Sequence, residues 1–245
     1  MTPPRRQVLA VSGVLSPRAG TTPNRRLMEH AVQLAGVGDR PARLCYLPTA
    51  VGDDHRAVEG FLASGLARSG AVEPSVLTLF TQPSVPDVRA HLLAQDVLWV
   101  EGGSVVNLMA VWRAHGLPAI LRECWEAGVV LAGGSAGSLC WHLGGTTDSF
   151  GDGLDPFTGT LGWLPYSNGV HDDLEDQPRR ERYRTAVATG ELPPGHATED
   201  GVGLHYVGTE LAEAVTVVPG ARAWWVDRHG GEPLGTRLLA DSATT

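Results

Sequence analysis

The chain has 245 residues, 42% of them hydrophobic, and a formal net charge of −8 from 27 acidic against 19 basic side chains. That apolar fraction can fill a core and excludes a disordered chain. The acidic balance argues against nucleic acid or an anionic membrane as partner, because both are held by a basic face.

Met1 to Arg6 is polar and proline-bearing, with no apolar signal region behind it. The apolar runs stay under about ten residues, against the roughly 20 of a membrane span. Both features predict a soluble, cytoplasmic protein. Cys45, Cys124 and Cys140 are few, odd in number and set in apolar stretches, which reads as reduced core thiols.

In chain order, Gln7 to Val14 reads as a strand, Asn24 to Ala35 as a helix, Ala42 to Leu47 as a strand and Asp53 to Arg68 as a helix. Ser75 to Leu79, Val97 to Val100 and Val129 to Ala132 are further short strands. Val85 to Ala94, Val105 to His115 and Ala119 to Ala127 carry helical spacing. Short strands separated by helices predict a mostly parallel sheet covered on both faces. Beyond Ser149, the Gly- and Pro-rich stretch Gly151 to Gly169 reads as a long loop over the sheet. Arg179 to Thr189 follows as a helix. Gly203 to Val207, Ala214 to Val218 and Ala223 to Val226 are antiparallel strands that extend the sheet or form a small appended one. The tail after Leu239 is expected to fray. With no repeat and no long linker, residues 1–245 read as one domain.

Gly133-Gly134-Ser135-Ala136-Gly137 follows an apolar strand and precedes the helix-like Ser138 to Leu143. A serine on such a turn is held in strained geometry with its hydroxyl above the strand ends, and the next helix turns its positive end toward a developing oxyanion. Taken alone, the five residues also fit an ordinary glycine-rich turn or a phosphate cradle. Glu101-Gly102-Gly103-Ser104 ends a neighbouring strand, so the N–H groups of Gly103 and Ala136 are the expected oxyanion donors.

Of nine histidines, His171 stands in an irregular stretch beyond the serine and is the expected base. His142 is weaker, lying about two helical turns past Ser135. Asp148 lies between Ser135 and His171 and is the expected acid that orients the imidazole, with Asp152, Asp155 and Glu175 as rivals. Arg179, Arg180 and Arg182 form a basic cluster that could clamp a substrate carboxylate or be a solvated helix face. His171-Asp172-Asp173 is a poor metal set, because neighbouring loop residues rarely converge on one ion. No metal or organic cofactor is expected.

These segments resemble the peptidase E (aspartyl dipeptidase) family. Val97 to Leu108 is similar to that family's strand and Gly-Gly-Asn-Thr turn, Gly133 to Gly137 to its Gly-x-Ser-Ala-Gly elbow, and Thr146-Thr147-Asp148 to the segment of its triad acid. Leu164-Pro165 through His171 is similar to the segment of its triad histidine. The resemblance covers most of the chain. It implies a flavodoxin-like three-layer sandwich, with a mostly parallel sheet and extra C-terminal antiparallel strands, related to class I glutamine amidotransferases. It further implies a serine-type dipeptidase acting on short peptides, with N-terminal Asp as one possible preference, and a homodimer. Ser104 stands where the family often has Asn, Val170 where it has Pro, and Gly134 at the variable elbow site, which marks a divergent branch. A cyanophycinase-like peptidase and a non-catalytic, ligand-binding amidotransferase-like domain are the alternatives.

Overall fold

The computed structural model describes residues 5–13 and 23–240. Val14, the expected end of the first strand, lies outside the described residues, as do residues 1–4 and 241–245. The apolar runs of the N-terminal half form β1 (Gln7–Val11), β2 (Ala42–Leu47), β4 (Val97–Val100) and β5 (Val130–Gly134), while β3 (Val72–Val76) is a more polar stretch that starts three residues before the expected Ser75 to Leu79. All five run parallel, in the order β1-β5-β4-β2-β3. Side chains alternate across this sheet and feed two cores. Leu98 and Val100 of β4 belong to one with Leu131, while Trp99 belongs to the other with Val130 and Ala132.

The helices between these strands begin at side chains that can take up free backbone N–H groups. Asp54 caps α2 (His55–Ala63), Asp87 caps α3 (Val88–Leu93) and Ser104 caps α4 (Val105–Ala114). Ser104 thus accepts from Asn107 N–H at 3.2 Å. Helix α1 (Pro23–Ala35) packs over one face, and α4 with α5 (Leu117–Glu126) over the other.

Past the serine turn the expected helix shortens to α6 (Ala136–Leu139), and the chain re-enters extended structure as β6 (His142–Thr147). The stretch expected as one long loop instead contributes β7 (Asp155–Phe157) and β8 (Leu164–Gly169). Together with β9 (Gly195–Thr198), β12 (Ala223–Asp227) and β13 (Gly230–Leu234) they build a second sheet, ordered β13-β12-β9-β8-β6-β7. Of these, β6 to β9 and β13 carry polar residues, glycines and prolines, so they lack the apolar run that announces a strand in sequence, whereas β12 has one and was expected. Helix α7 (Arg179–Ala188) packs on this second sheet, with Tyr183 and Val187 meeting Ala197 and Val226. Strands β10 (Val202–Val207) and β11 (Glu210–Thr216) join the first sheet antiparallel beside β1, and β14 (Thr236–Leu238) closes that edge. The mixed α/β architecture with a large, mostly parallel sheet and added antiparallel strands is therefore as expected. Of the predicted C-terminal strands, two extend the main sheet and one enters the second. Cys45, Cys124 and Cys140 are free and buried, as their apolar settings predict.

Candidate active site

Five strand ends converge at one edge of the two sheets. Ser135 follows β5, Gly102 follows β4, Ser12 follows β1, His171 lies two residues past β8 and Asp200 two past β9. Crevices outside the carboxyl ends of parallel strands are where such sheets place their chemistry. Ser135 has φ 52° and ψ −111°, a conformation costly for a residue with a Cβ. Its N–H donates to the carbonyls of Val11 at 3.0 Å and Ser12 at 3.1 Å, which ties the turn to the neighbouring strand.

His171 also has positive φ, 58°, and its side chain is 1% exposed. Ser12 fixes it from behind: the Ser12 hydroxyl accepts from His171 N–H at 2.7 Å and donates to the Thr198 carbonyl at 3.0 Å. The ring then lies between two partners. Nδ1 is 2.5 Å from Asp200 Oδ1, and Nε2 is 3.0 Å from Ser135 Oγ. A carboxylate can only accept, so Nδ1 carries the proton and Nε2 is left as acceptor for the serine hydroxyl.

Ser135 and His171 thus meet as the sequence suggests, but Asp148 does not join them. It is 41% exposed and its Oδ2 takes a hydrogen bond from Arg179 Nη2 at 2.7 Å. Strand β6, which ends just before Asp148, is parallel to β8, so chain order between serine and histidine says nothing about which carboxylate faces the ring. Asp152, Asp155 and Glu175 are exposed. Asp200, the residue that does meet the imidazole, escaped the sequence reading. Its signal was a Glu-Asp-Gly turn after the short polar strand β9, visible only once that strand is recognised. Ser12 was missed too, its cue being a Ser-Gly pair at the end of the first strand.

The glycine pair after β4 lies against the serine. A Cβ on Gly102 would stand 3.2 Å from Ser135 Cβ and 4.0 Å from its Oγ. Gly103 N–H has no acceptor among the described residues, and Ala136 N–H opens α6, where the helix supplies no partner. Both expected oxyanion donors are therefore uncommitted.

The three arginines separate. Arg179 is buried between Asp148 and Gln177, its Nε donating to Gln177 Oε1 at 2.7 Å. Desolvation lowers its pKa, and Asp148 pulls it back up. Arg180 bridges Asp172 and Glu199. Arg182 turns away from the cleft toward Glu191 Oε2 at 3.0 Å and the Leu154 carbonyl at 3.0 Å, so it does not line the site. In the stretch weighed as a metal set, His171 faces Ser135 and Asp200, Asp172 faces arginines, and Asp173 accepts from Asp200 N–H at 2.8 Å. The three do not converge.

His142, the weaker base candidate, is buried behind α6. Its Nδ1 donates to the Ser138 carbonyl at 2.9 Å, so Nε2 accepts from the Tyr206 hydroxyl at 3.2 Å. Tyr206 Oη then accepts from His196 Nδ1 at 2.9 Å. Desolvation holds His142 down at about 3 and His196 at about 4, so both rings stay neutral. Ser138 Oγ donates to Asn168 Oδ1 at 2.8 Å, linking α6 to β8.

Comparison with known proteins agrees with this architecture. The chain is 39% identical over 186 residues to an uncharacterized peptidase, YgaJ, of Bacillus subtilis, covering 75% of this chain and 77% of that one. It is 26% identical over 205 residues to a peptidase E of Shewanella denitrificans, covering 80% and 83%. Among solved structures, a peptidase from an acI-B1 actinobacterium shares the fold with a TM-score of 0.66 at 14% identity over 95% of both chains. A putative peptidase E protein from Listeria monocytogenes shares it with a TM-score of 0.61 at 15% identity, over 84% of this chain and 96% of that one. Residues 16–214 match the model of peptidase family S51, and the chain belongs to that family of serine-type peptidases.

Proposed function

We propose that this chain hydrolyses short peptides through an acyl-enzyme, with Ser135 as nucleophile, His171 as base and Asp200 as the acid that orients it. The observation that carries the reading is the unbroken chain from Ser135 Oγ through the His171 ring to Asp200, at 3.0 Å and 2.5 Å. In the first step His171 Nε2 takes the hydroxyl proton as Ser135 Oγ bonds to the scissile carbonyl carbon. The N–H groups of Gly103 and Ala136 receive the oxyanion. His171 then returns the proton to the leaving amine as the C–N bond breaks, and water repeats the sequence to release the acyl group. Asp200 stays ionised and holds the imidazolium in register. Dipeptides, N-terminal Asp among them, form the proposed substrate class, and a cytoplasmic homodimer is the proposed setting. No helix among the described residues is long and apolar enough to cross a membrane.

The test is a dipeptide panel (Asp-Leu, Glu-Leu, Ala-Leu and N-blocked forms) with a fluorophosphonate probe, on wild type and Ser135→Ala. Hydrolysis and labelling should both vanish in the variant, with a loss of at least about 10³-fold. Unchanged hydrolysis by Ser135→Ala would refute Ser135 as nucleophile, and no cleavage of any amide by wild type would favour a ligand-binding domain.

A further inference from the structure

Two acidic residues flank the imidazole–carboxylate pair in sequence. Asp172 follows His171, and Glu199 precedes Asp200. Both are turned away from the serine, and both end on the same side chain. Arg180 Nε donates to Asp172 Oδ2 at 2.8 Å, and its Nη2 donates to Glu199 Oε1 at 3.1 Å. Arg184, one turn along α7, adds a bond to Asp172 Oδ1 at 3.1 Å. Arg222 adds one from its backbone N–H to Glu199 Oε2 at 3.0 Å and one from its Nε to Oε1 at 3.3 Å. The three guanidiniums surround the Trp224 ring, with their central carbons 5.0 to 5.9 Å from its centroid, a favourable seat for cations. Trp224 belongs to β12, which pairs directly with β9. Among the described residues, Arg180 is the guanidinium that touches both acids.

We infer that Arg180 is a positioning residue, which sets the spacing between His171 and Asp200 by bracing the backbone on either side of the pair. This rests on the proposed role of Ser135, His171 and Asp200. The two loops need such a brace because His171 occupies a left-handed conformation and both flanking acids are almost wholly buried, at 1% and 9% side-chain exposure. Two buried like charges side by side would drive the segments apart if nothing lay between them. A planar guanidinium can hold two carboxylates at a fixed separation; an ammonium holds them as a point charge without directional control. The reading of Arg180 as a substrate clamp is replaced by this role, since its Nε and Nη2 already donate to this chain's own acids.

The experiment compares wild type with Arg180→Ala, Arg180→Lys and Glu199→Gln. Arg237→Ala serves as the control, because it removes an equally paired guanidinium at a distant sheet edge. Three readouts are taken: kcat and KM on a cleaved dipeptide, the rate of fluorophosphonate labelling, and the low-field proton resonance of His171 Nδ1–H. Bracing predicts that Arg180→Ala lowers kcat and the labelling rate by about tenfold or more, as small misplacements of catalytic groups do. KM should stay within about twofold, and the low-field resonance should shift or broaden. Arg180→Lys and Glu199→Gln should give the same pattern more weakly, with melting temperatures near that of the control. A raised KM with unchanged labelling and resonance would make Arg180 a substrate contact and overturn the inference. No change in any readout would show the brace redundant and overturn it equally. Should wild type resist labelling, the reading of Ser135 fails, yet the resonance still tests the brace because it needs no turnover.

Discussion

Ser135 carries its side chain at φ 52°, where glycine is at ease and serine is not. Relief of that strain and loss of the proposed nucleophile therefore travel together. Ser135→Gly should gain about 1 kcal/mol of unfolding free energy in denaturant titration while losing hydrolysis. The choice between two aspartates is tested at the same scale. Asp200→Asn leaves an amide that can stabilise the wrong imidazole tautomer and should lower kcat by about 10³- to 10⁴-fold. Asp148→Asn loosens only the tie to Arg179 and should cost less than about tenfold. Equal effects from the two substitutions, measured on one dipeptide, would reverse the assignment. The serine and histidine could be found in sequence because each sits in a stretch of distinctive local chemistry. The acid could not, since a carboxylate becomes a partner only through where its strand lies.

Helix α6 is four residues long, too short to be stable by itself, and it exists because its small residues let it press onto β4. A Cβ on Gly137 would run into the Val100 carbonyl, a backbone atom that cannot swing aside. Gly137→Ala should therefore destabilise the protein by about 3 kcal/mol and lower activity with it, as thermal melts and assays on the same samples would show. Gly102→Ala is the milder contrast. Its Cβ would stand 3.2 Å from Ser135 Cβ, so the fold should survive with a small change in melting temperature while hydrolysis falls through crowding of the proposed nucleophile. Apart from β3, the strands of the parallel half were legible from their apolar runs; β2 and β4 have the bounds the sequence suggested. Elements rich in polar residues and glycine were not. Ser167, Asn168 and His196 are buried strand residues whose side chains are satisfied by Tyr183, Ser138 and Tyr206 on other elements.

For the whole molecule, the two sheets are joined through a buried polar seam in which His142 and His196 are kept neutral, at about 3 and about 4 against an ordinary 6.5. The unfolded chain takes up these protons more readily than the folded one, so their contribution is complete above about pH 6.5. It is lost as the pH falls through 6.5 toward 4 and then 3, at up to about 1.4 kcal/mol per pH unit for each histidine. Unfolding free energies measured between pH 7 and pH 5 should fall with this slope. In His196→Gln the fall should be shallower by one histidine's share; an equal slope would discount the seam. The sequence by itself determined the family and most of the parallel sheet, and it singled out the serine turn and His171, because each is written in residues close together in the chain. Only the tertiary structure decided the second sheet, the aspartate facing the ring and the fate of the arginines. Those depend on which distant polar groups share a buried space, and no local pattern of hydropathy encodes that pairing.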